Sequence, residues 1–329
     1  MSVAGSSVAG SSVAGSSGAG SSVAGSDGII RGVIAPNLTP FDDALAVVPE
    51  LYVAHAQHLL ANGCAGLAPF GTTGEALSVG IDERKSLLEA LVEAGVDPKR
   101  LIPGTGLCSF PDTAELTRHA VDLGCAGAMT LPPFYFKGVS DDGLFAYFEK
   151  LIEAVDRPAL RIYLYHIPPV SQTPLSLDLV SRLAEAFPET IVGLKDSSGD
   201  ADNTRALLSR FPKLAIYPGS EIGLDAMLAL GAPGCITATA NLNAPAVADV
   251  VARHGDGGGA SRQATVDAFR KTVQPYAPIP AMKAVLAETT GDARWRNVRP
   301  PLMPAPVEKG RELLRALEES FGFTAPATV

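Results

Sequence analysis

From Ile29 onward the chain alternates short apolar runs with longer amphipathic ones, and this rhythm restricts its fold more than any single motif. The apolar runs occupy residues 32–35, 66–70, 101–104, 126–131, 160–165, 191–195, 214–217 and 234–237. Runs this short, bounded by turn residues, predict buried strands. Between them, helices are predicted over 48–60, 82–93, 111–123, 141–155, 177–187, 202–210, 222–230 and 244–253. Strands alternating with helices imply a parallel sheet, because parallel neighbours need a crossover. Eight strand–helix units are the number that closes a (β/α)8 TIM barrel. The competing open, doubly wound sheet lacks its signature, since no GxGxxG follows the first strand.

Beyond the barrel the spacing predicts helices over 261–273, 280–288 and 307–321. Residues 255–259, four glycines and one aspartate, form a flexible joint before them. The expected organisation is a tail over 1–27, a catalytic barrel over 28–255 and a C-terminal helical extension over 256–329. The tail repeats a Ser-Ser-Val-Ala-Gly pentad and has too little to bury, so it is expected to be disordered. It lacks the positive charge and continuous apolar run of a signal peptide.

The chain has 329 residues, of which 47% are hydrophobic, enough for one large core. Its net charge of -9 leaves no basic footprint for nucleic acid. No apolar stretch approaches the roughly 20 residues of a membrane span. Cys64, Cys108, Cys125 and Cys235 lie far apart without a CxxC pair, which fits reduced thiols in a cytoplasmic protein. No cofactor is expected, and no metal: His55 and His58, three apart on a helix, suit packing or surface roles better than ligation.

A barrel carries its chemistry where its strands end. Three such ends stand out. Lys195 closes the run 191–195, where burial favours a neutral, nucleophilic amine. Tyr163 and Tyr165 share one face of the run 160–165, and Tyr165 is the one placed to reach the barrel mouth as a proton carrier. Gly71-Thr72-Thr73-Gly74-Glu75 follows the second run, with hydroxyls and free N–H groups suited to a carboxylate. Each alone has a plainer reading: a lysine emerging into solvent, a tyrosine packed in the core, an ordinary Gly/Thr turn. A stiff aromatic segment over 132–137 could cap a site or insert into a partner subunit.

Taken together, G-L-K-D-S-S-G around Lys195, Tyr165 in Y-x-x-P, G-T-T-G-E over 71–75 and Thr39-Pro40-Phe41 resemble the dihydrodipicolinate synthase / N-acetylneuraminate lyase family. The resemblance spans roughly 32–304. It implies that Lys195 forms a Schiff base with the 2-oxo group of pyruvate or another 2-oxo acid. It implies that Tyr165 shuttles protons, that Thr73 links it to the next tyrosine of a relay, and that Thr72 clamps the carboxylate. Tyr135 falls where the family supplies an aromatic across a tight dimer, so a homo-oligomer, dimer or tetramer, is expected. Ile236 falls where a backbone carbonyl faces the site, and Gly219 where space is kept beside the lysine. The protonated imine is an electron sink, so carbon–carbon or carbon–oxygen bonds can form or break beside it.

The sequence also departs from the family pattern. Synthases of the lysine pathway carry an arginine two residues past the proline of Y-x-x-P, where it grips the carboxylate of aspartate semialdehyde. Here that position is Val170. Ala76, Leu77, Ile81, Arg84 and Phe134 stand where lysine-regulated synthases have other residues, and His166 replaces a common asparagine. The expected activity is therefore a class I aldolase or dehydratase acting on a 2-keto-3-deoxy sugar acid or a related hydroxy-oxo acid, with an aldehyde as its other partner. Glu221 is the candidate ligand for sugar hydroxyls. The alternatives are 4-hydroxy-tetrahydrodipicolinate synthase and a catalytically silent binding barrel.

Overall fold

The computed structural model describes residues 27–324, so the repeat segment expected as a tail lies, up to Ser26, outside the described residues. Among them, seven ladder strands occur: β1 (Gly32–Ala35), β2 (Cys64–Leu67), β3 (Ala128–Thr130), β4 (Ile162–His166), β5 (Ile191–Asp196), β6 (Ala215–Pro218) and β7 (Gly234–Ile236). All paired strands are parallel, in the orders β2-β1-β7 and β3-β4-β5-β6. β6 and β7 lie side by side and close one seam.

The other seam is closed by residues 101–104, predicted as a full strand. They pair only at Leu67↔Leu101 and Gly104↔Met129. Ile102 N–H donates to Leu67 O at 2.9 Å, and Met129 N–H to Pro103 O at 2.8 Å. Pro103 has no N–H to return, so the ladder is interrupted where the stave still stands. The fold is thus a (β/α)8 barrel with one stave held by isolated bridges.

The helices wrap the strands in chain order: α1 (Pro49–Ala61), α2 (Ile81–Glu93), α3 (Phe110–Asp122), α4 (Asp141–Val155), α5 (Pro168–Ser171), α6 (Leu177–Ala186), α7 (Ala201–Arg210), α8 (Leu224–Ala229) and α9 (Ala240–Ala252). α5, a single turn after β4, was not legible as a helix; its two prolines start it. α9 begins earlier than predicted and kinks at Asn243, two residues before Pro245.

Inside the barrel, Ile34, Met129, Tyr163, Tyr165, Tyr217 and Ile236 belong to one buried cluster. Tyr163 and Tyr217 fill the floor with ring centroids 6.0 Å apart, and Tyr217 donates to Ile30 O at 2.7 Å. Gly193 makes this possible: a Cβ there would sit 2.6 Å from the Tyr163 ring. The missing side chain in G-L-K is therefore a packing requirement two residues below the lysine.

The extension comprises α10 (Gly259–Val273), α11 (Pro278–Thr290) and α12 (Val307–Phe321). Its core joins Leu38 to Met282, Val285, Trp295, Leu313 and Leu317. Trp295 packs edge-on against His55 of α1, with centroids 5.0 Å apart. Burying this much apolar surface fixes the extension against the barrel rather than leaving it on a hinge.

Candidate active site

β4 and β5 pair in parallel with Tyr165 opposite Lys195. Partners in register on neighbouring strands share a face. Both side chains therefore point into the barrel mouth, one turn of the pleat above the tyrosine floor. Lys195 is 4% exposed, and its Nζ donates to the Tyr165 hydroxyl at 3.3 Å. The same Nζ lies 4.4 Å from the centre of the Tyr165 ring. The plainer alternative, a lysine released to solvent at a strand end, is excluded by this burial.

The third member of the cluster is Thr72, whose Oγ1 lies 3.2 Å from the Tyr165 hydroxyl. Here the structure corrects the assignment made from sequence, which gave that link to Thr73. Gly74 N–H donates to Gly71 O at 3.0 Å and closes a tight turn. Consecutive side chains on that turn diverge: Thr72 borders the cavity and Thr73 does not. The hydroxyl contact to Tyr165 expected of Thr73 is thus made by Thr72.

The strand ends around Lys195 are braced by polar contacts. Asp196 Oδ2 accepts from Thr204 Oγ1 at 2.6 Å and Asn203 Nδ2 at 3.0 Å, tying β5 to α7. His166, opposite Asp196 in register, points away from the mouth and accepts from Leu175 N–H at 3.0 Å through Nδ1. Burial lowers its pKa, partly opposed by Asp196. Gly219 follows β6 and donates its N–H to Asp196 O at 2.6 Å. A Cβ there would overlap the Ser197 hydroxyl and come within 2.9 Å of Asp196 O. Ile236 ends β7 in the same interior cluster as Tyr165.

Two candidates are not brought to the cluster. Glu221 is fully buried, but its carboxylate accepts from the Thr237 and Thr239 hydroxyls, with Arg270 Nη1 3.7 Å away. It does not border the cavity beside Tyr165, which corrects its assignment as a ligand for sugar hydroxyls. Tyr135 is 77% exposed and meets Phe136 edge-on at 6.1 Å. Within one chain it does not border the cavity beside Tyr165.

A cavity of about 220 Å³ opens from Thr72 and Tyr165. Leu131, Phe134, Ile167 and Val170 form its barrel side, and Ile279 and Leu302 come from the extension. Sequence reasoning missed the last two, since nothing local marks an aliphatic residue in a distant helix or loop as a wall. It also missed a buried ion pair: Lys283 of α11 donates to Glu75 Oε1 at 2.6 Å and to Thr39 O at 2.8 Å. Burial lowers the Lys283 pKa to about 8 against the opposing pull of Glu75. Glu75 has a left-handed backbone (φ 56) and also accepts from Arg299 N–H at 3.1 Å. The one available signal was the carboxylate at the end of G-T-T-G-E.

Among the described residues, no group of three or more His, Cys, Asp or Glu side chains could hold a metal ion. No helix there is long and apolar enough to cross a membrane.

Residues 29–320 match the model of the dihydrodipicolinate synthetase family. An uncharacterised DapA-like lyase of Chloroflexus aurantiacus is 36% identical over 299 residues, covering 90% of this chain and 99% of the relative. A 4-hydroxy-tetrahydrodipicolinate synthase of Synechococcus sp. is 33% identical over 292 residues, covering 87% and 93%. The crystal structure of dihydrodipicolinate synthase from Agrobacterium tumefaciens superposes with a TM-score of 0.82 at 35% identity, covering 88% of this chain and 99% of that one.

Proposed function

The chain belongs to the dihydrodipicolinate synthetase family, and from that membership we propose that it is a Schiff-base lyase working through Lys195 on pyruvate or another 2-oxo acid, with an aldehyde as the other reactant. The observation that carries this reading is the buried Lys195 amine 3.3 Å from the Tyr165 hydroxyl. The amine adds to the 2-oxo carbon and water leaves, giving an imine. Loss of a C3 proton gives the enamine, whose C3 attacks the aldehyde carbon. Tyr165 hands a proton to the new alkoxide, and water releases the product and regenerates the amine. Thr72 orients the phenol throughout, and the reverse sequence cleaves the same bond. Tyr135, exposed in one chain, is read as a residue given to a neighbouring copy, so that the working form is a dimer or larger.

Reduction with borohydride in the presence of pyruvate tests this. A covalent adduct on Lys195 is expected, and none in Lys195→Ala. An adduct that persists in that variant overturns the assignment, and its absence in the wild type overturns the reaction class. Measurable turnover of any 2-oxo acid eliminates a silent binding barrel.

A second reading is favoured by the named relatives, several of which are 4-hydroxy-tetrahydrodipicolinate synthases. Condensation of pyruvate with aspartate semialdehyde is its direct assay. Against it stands Val170 at the position expected to carry a carboxylate-binding arginine. The sugar-acid substrate expected from sequence loses one candidate ligand, because Glu221 is committed elsewhere.

A further inference from the structure

Resting on the lyase reading, we propose that the subsite for the second reactant accepts an aldehyde with an uncharged, apolar substituent, of the benzaldehyde class, rather than a carboxylate or a polyhydroxylated chain. The walls state the preference. From the Tyr165 hydroxyl outward the cavity is bounded by Leu77, Leu131, Phe134, Ile167, Val170 and Leu302. Leu77 and Val170 are 62% and 63% exposed at its mouth.

The charged groups around this space are already engaged. Both oxygens of Glu75 are taken, one by Lys283 and one by Arg299 N–H. The Arg299 guanidinium holds Glu83 and the carbonyls of Leu45 and Ser78. Arg84 donates to the carbonyls of Val79 and Ala76. Lys137 donates to those of Phe134 and Ser171. The Ser171 hydroxyl is closed on Thr173. Hydroxyls remain at Thr72 and Tyr165, beside the reacting carbon, and at Ser78 on the wall.

A carboxylate carried into this space meets no cation to replace its water, and a chain of hydroxyls meets few partners. An aryl ring loses nothing on entry and gains the contacts of the wall. The size also fits, since an apolar cavity of about 150 Å³ holds benzene. In the reaction the enamine C3 bonds to the aldehyde carbon, and the carbonyl π pair becomes the alkoxide. The proton lost from C3 is returned to that oxygen through Tyr165. One water hydrolyses the imine, leaving a 4-aryl-4-hydroxy-2-oxobutanoate.

The test begins with borohydride trapping of pyruvate, followed by kcat/KM for benzaldehyde, glyceraldehyde and succinic semialdehyde at fixed pyruvate. Benzaldehyde is expected to exceed the semialdehyde by about 100-fold or more, the penalty for an unpaired charge. Val170→Arg is expected to narrow that ratio at least about tenfold by supplying a cation at the mouth. Trapping with equal or better use of the semialdehyde or glyceraldehyde overturns the inference alone, as does trapping with no turnover of benzaldehyde. Failure to trap pyruvate brings down the lyase reading, and the inference with it.

Discussion

Lys283 and Glu75 form an ion pair 2.6 Å long with no exposed side-chain surface, and it joins the helical extension to the loop that carries Thr72. Its position, three residues from Thr72, makes it a bearing for the Thr72 turn as well as a packing contact.

Breaking this pair from either side leaves a buried charge alone. Lys283→Met and Glu75→Gln are each expected to destabilise the protein by about 3–5 kcal/mol. The double variant is expected to recover part of that loss, since neither charge is then stranded. Denaturant midpoints of the three variants measure the coupling.

Thr72 and Thr73 are expected to separate by function. Tyr165→Phe is expected to lower kcat by roughly 10²–10⁴-fold, the usual contribution of a placed proton carrier. Thr72→Val removes one hydrogen bond to that phenol and is expected to lower kcat about tenfold. Thr73→Val is expected to affect kcat less than Thr72→Val. Steady-state rates of the three variants, with imine trapping measured alongside, check the order.

Much of the fold was legible because periodicity speaks directly of burial. The strand positions and the extension helices follow from apolar spacing, with boundaries shifted by a few residues. The stave over 101–104 was legible as apolar but not as interrupted, because the missing N–H of Pro103 matters only once both neighbours are known. In the site, Lys195 and Tyr165 were readable from strand ends. Which hydroxyl meets Tyr165 was not, since turn geometry rather than residue type decides between adjacent threonines. Lys283 and Leu302 lie more than a hundred residues from Tyr165, the one on a helix whose pattern says only that a face is buried and the other in a bend with no local pattern.

Gly219 packs against the two residues that follow Lys195. Gly219→Ala forces its Cβ onto Ser197 and against Asp196 O, next to Lys195 in β5. Overpacking of this kind costs about 1–3 kcal/mol. The variant is expected to lose both stability and the rate of imine formation. Adding Ser197→Ala removes one of the two obstacles and is expected to restore part of each, as read by thermal unfolding and trapping rates.

His55 predicts an acid-sensitive fold. Its Nε2–H donates to Asn241 Oδ1 at 2.9 Å, and burial lowers its pKa from 6.5 to about 4. The unfolded chain therefore binds a proton between those values that the folded chain refuses. This contribution is complete above pH 6.5, falls as pH drops toward 4, and is worth about 3 kcal/mol in total. His55→Gln keeps a neutral donor and is expected to flatten that part of the curve. Denaturant midpoints of the two proteins from pH 7.5 to 4 give the comparison.

Ile279 and Leu302 bring the extension into the cavity wall, while Lys195, Tyr165 and Thr72 all belong to the barrel. The reactive groups of the proposed lyase and part of the wall of its cavity thus sit on separate stretches of chain. On the proposed reading, Ile279 and Leu302 are the positions of the C-terminal segment at which selectivity can be retuned, provided Lys283, which holds Glu75, is kept.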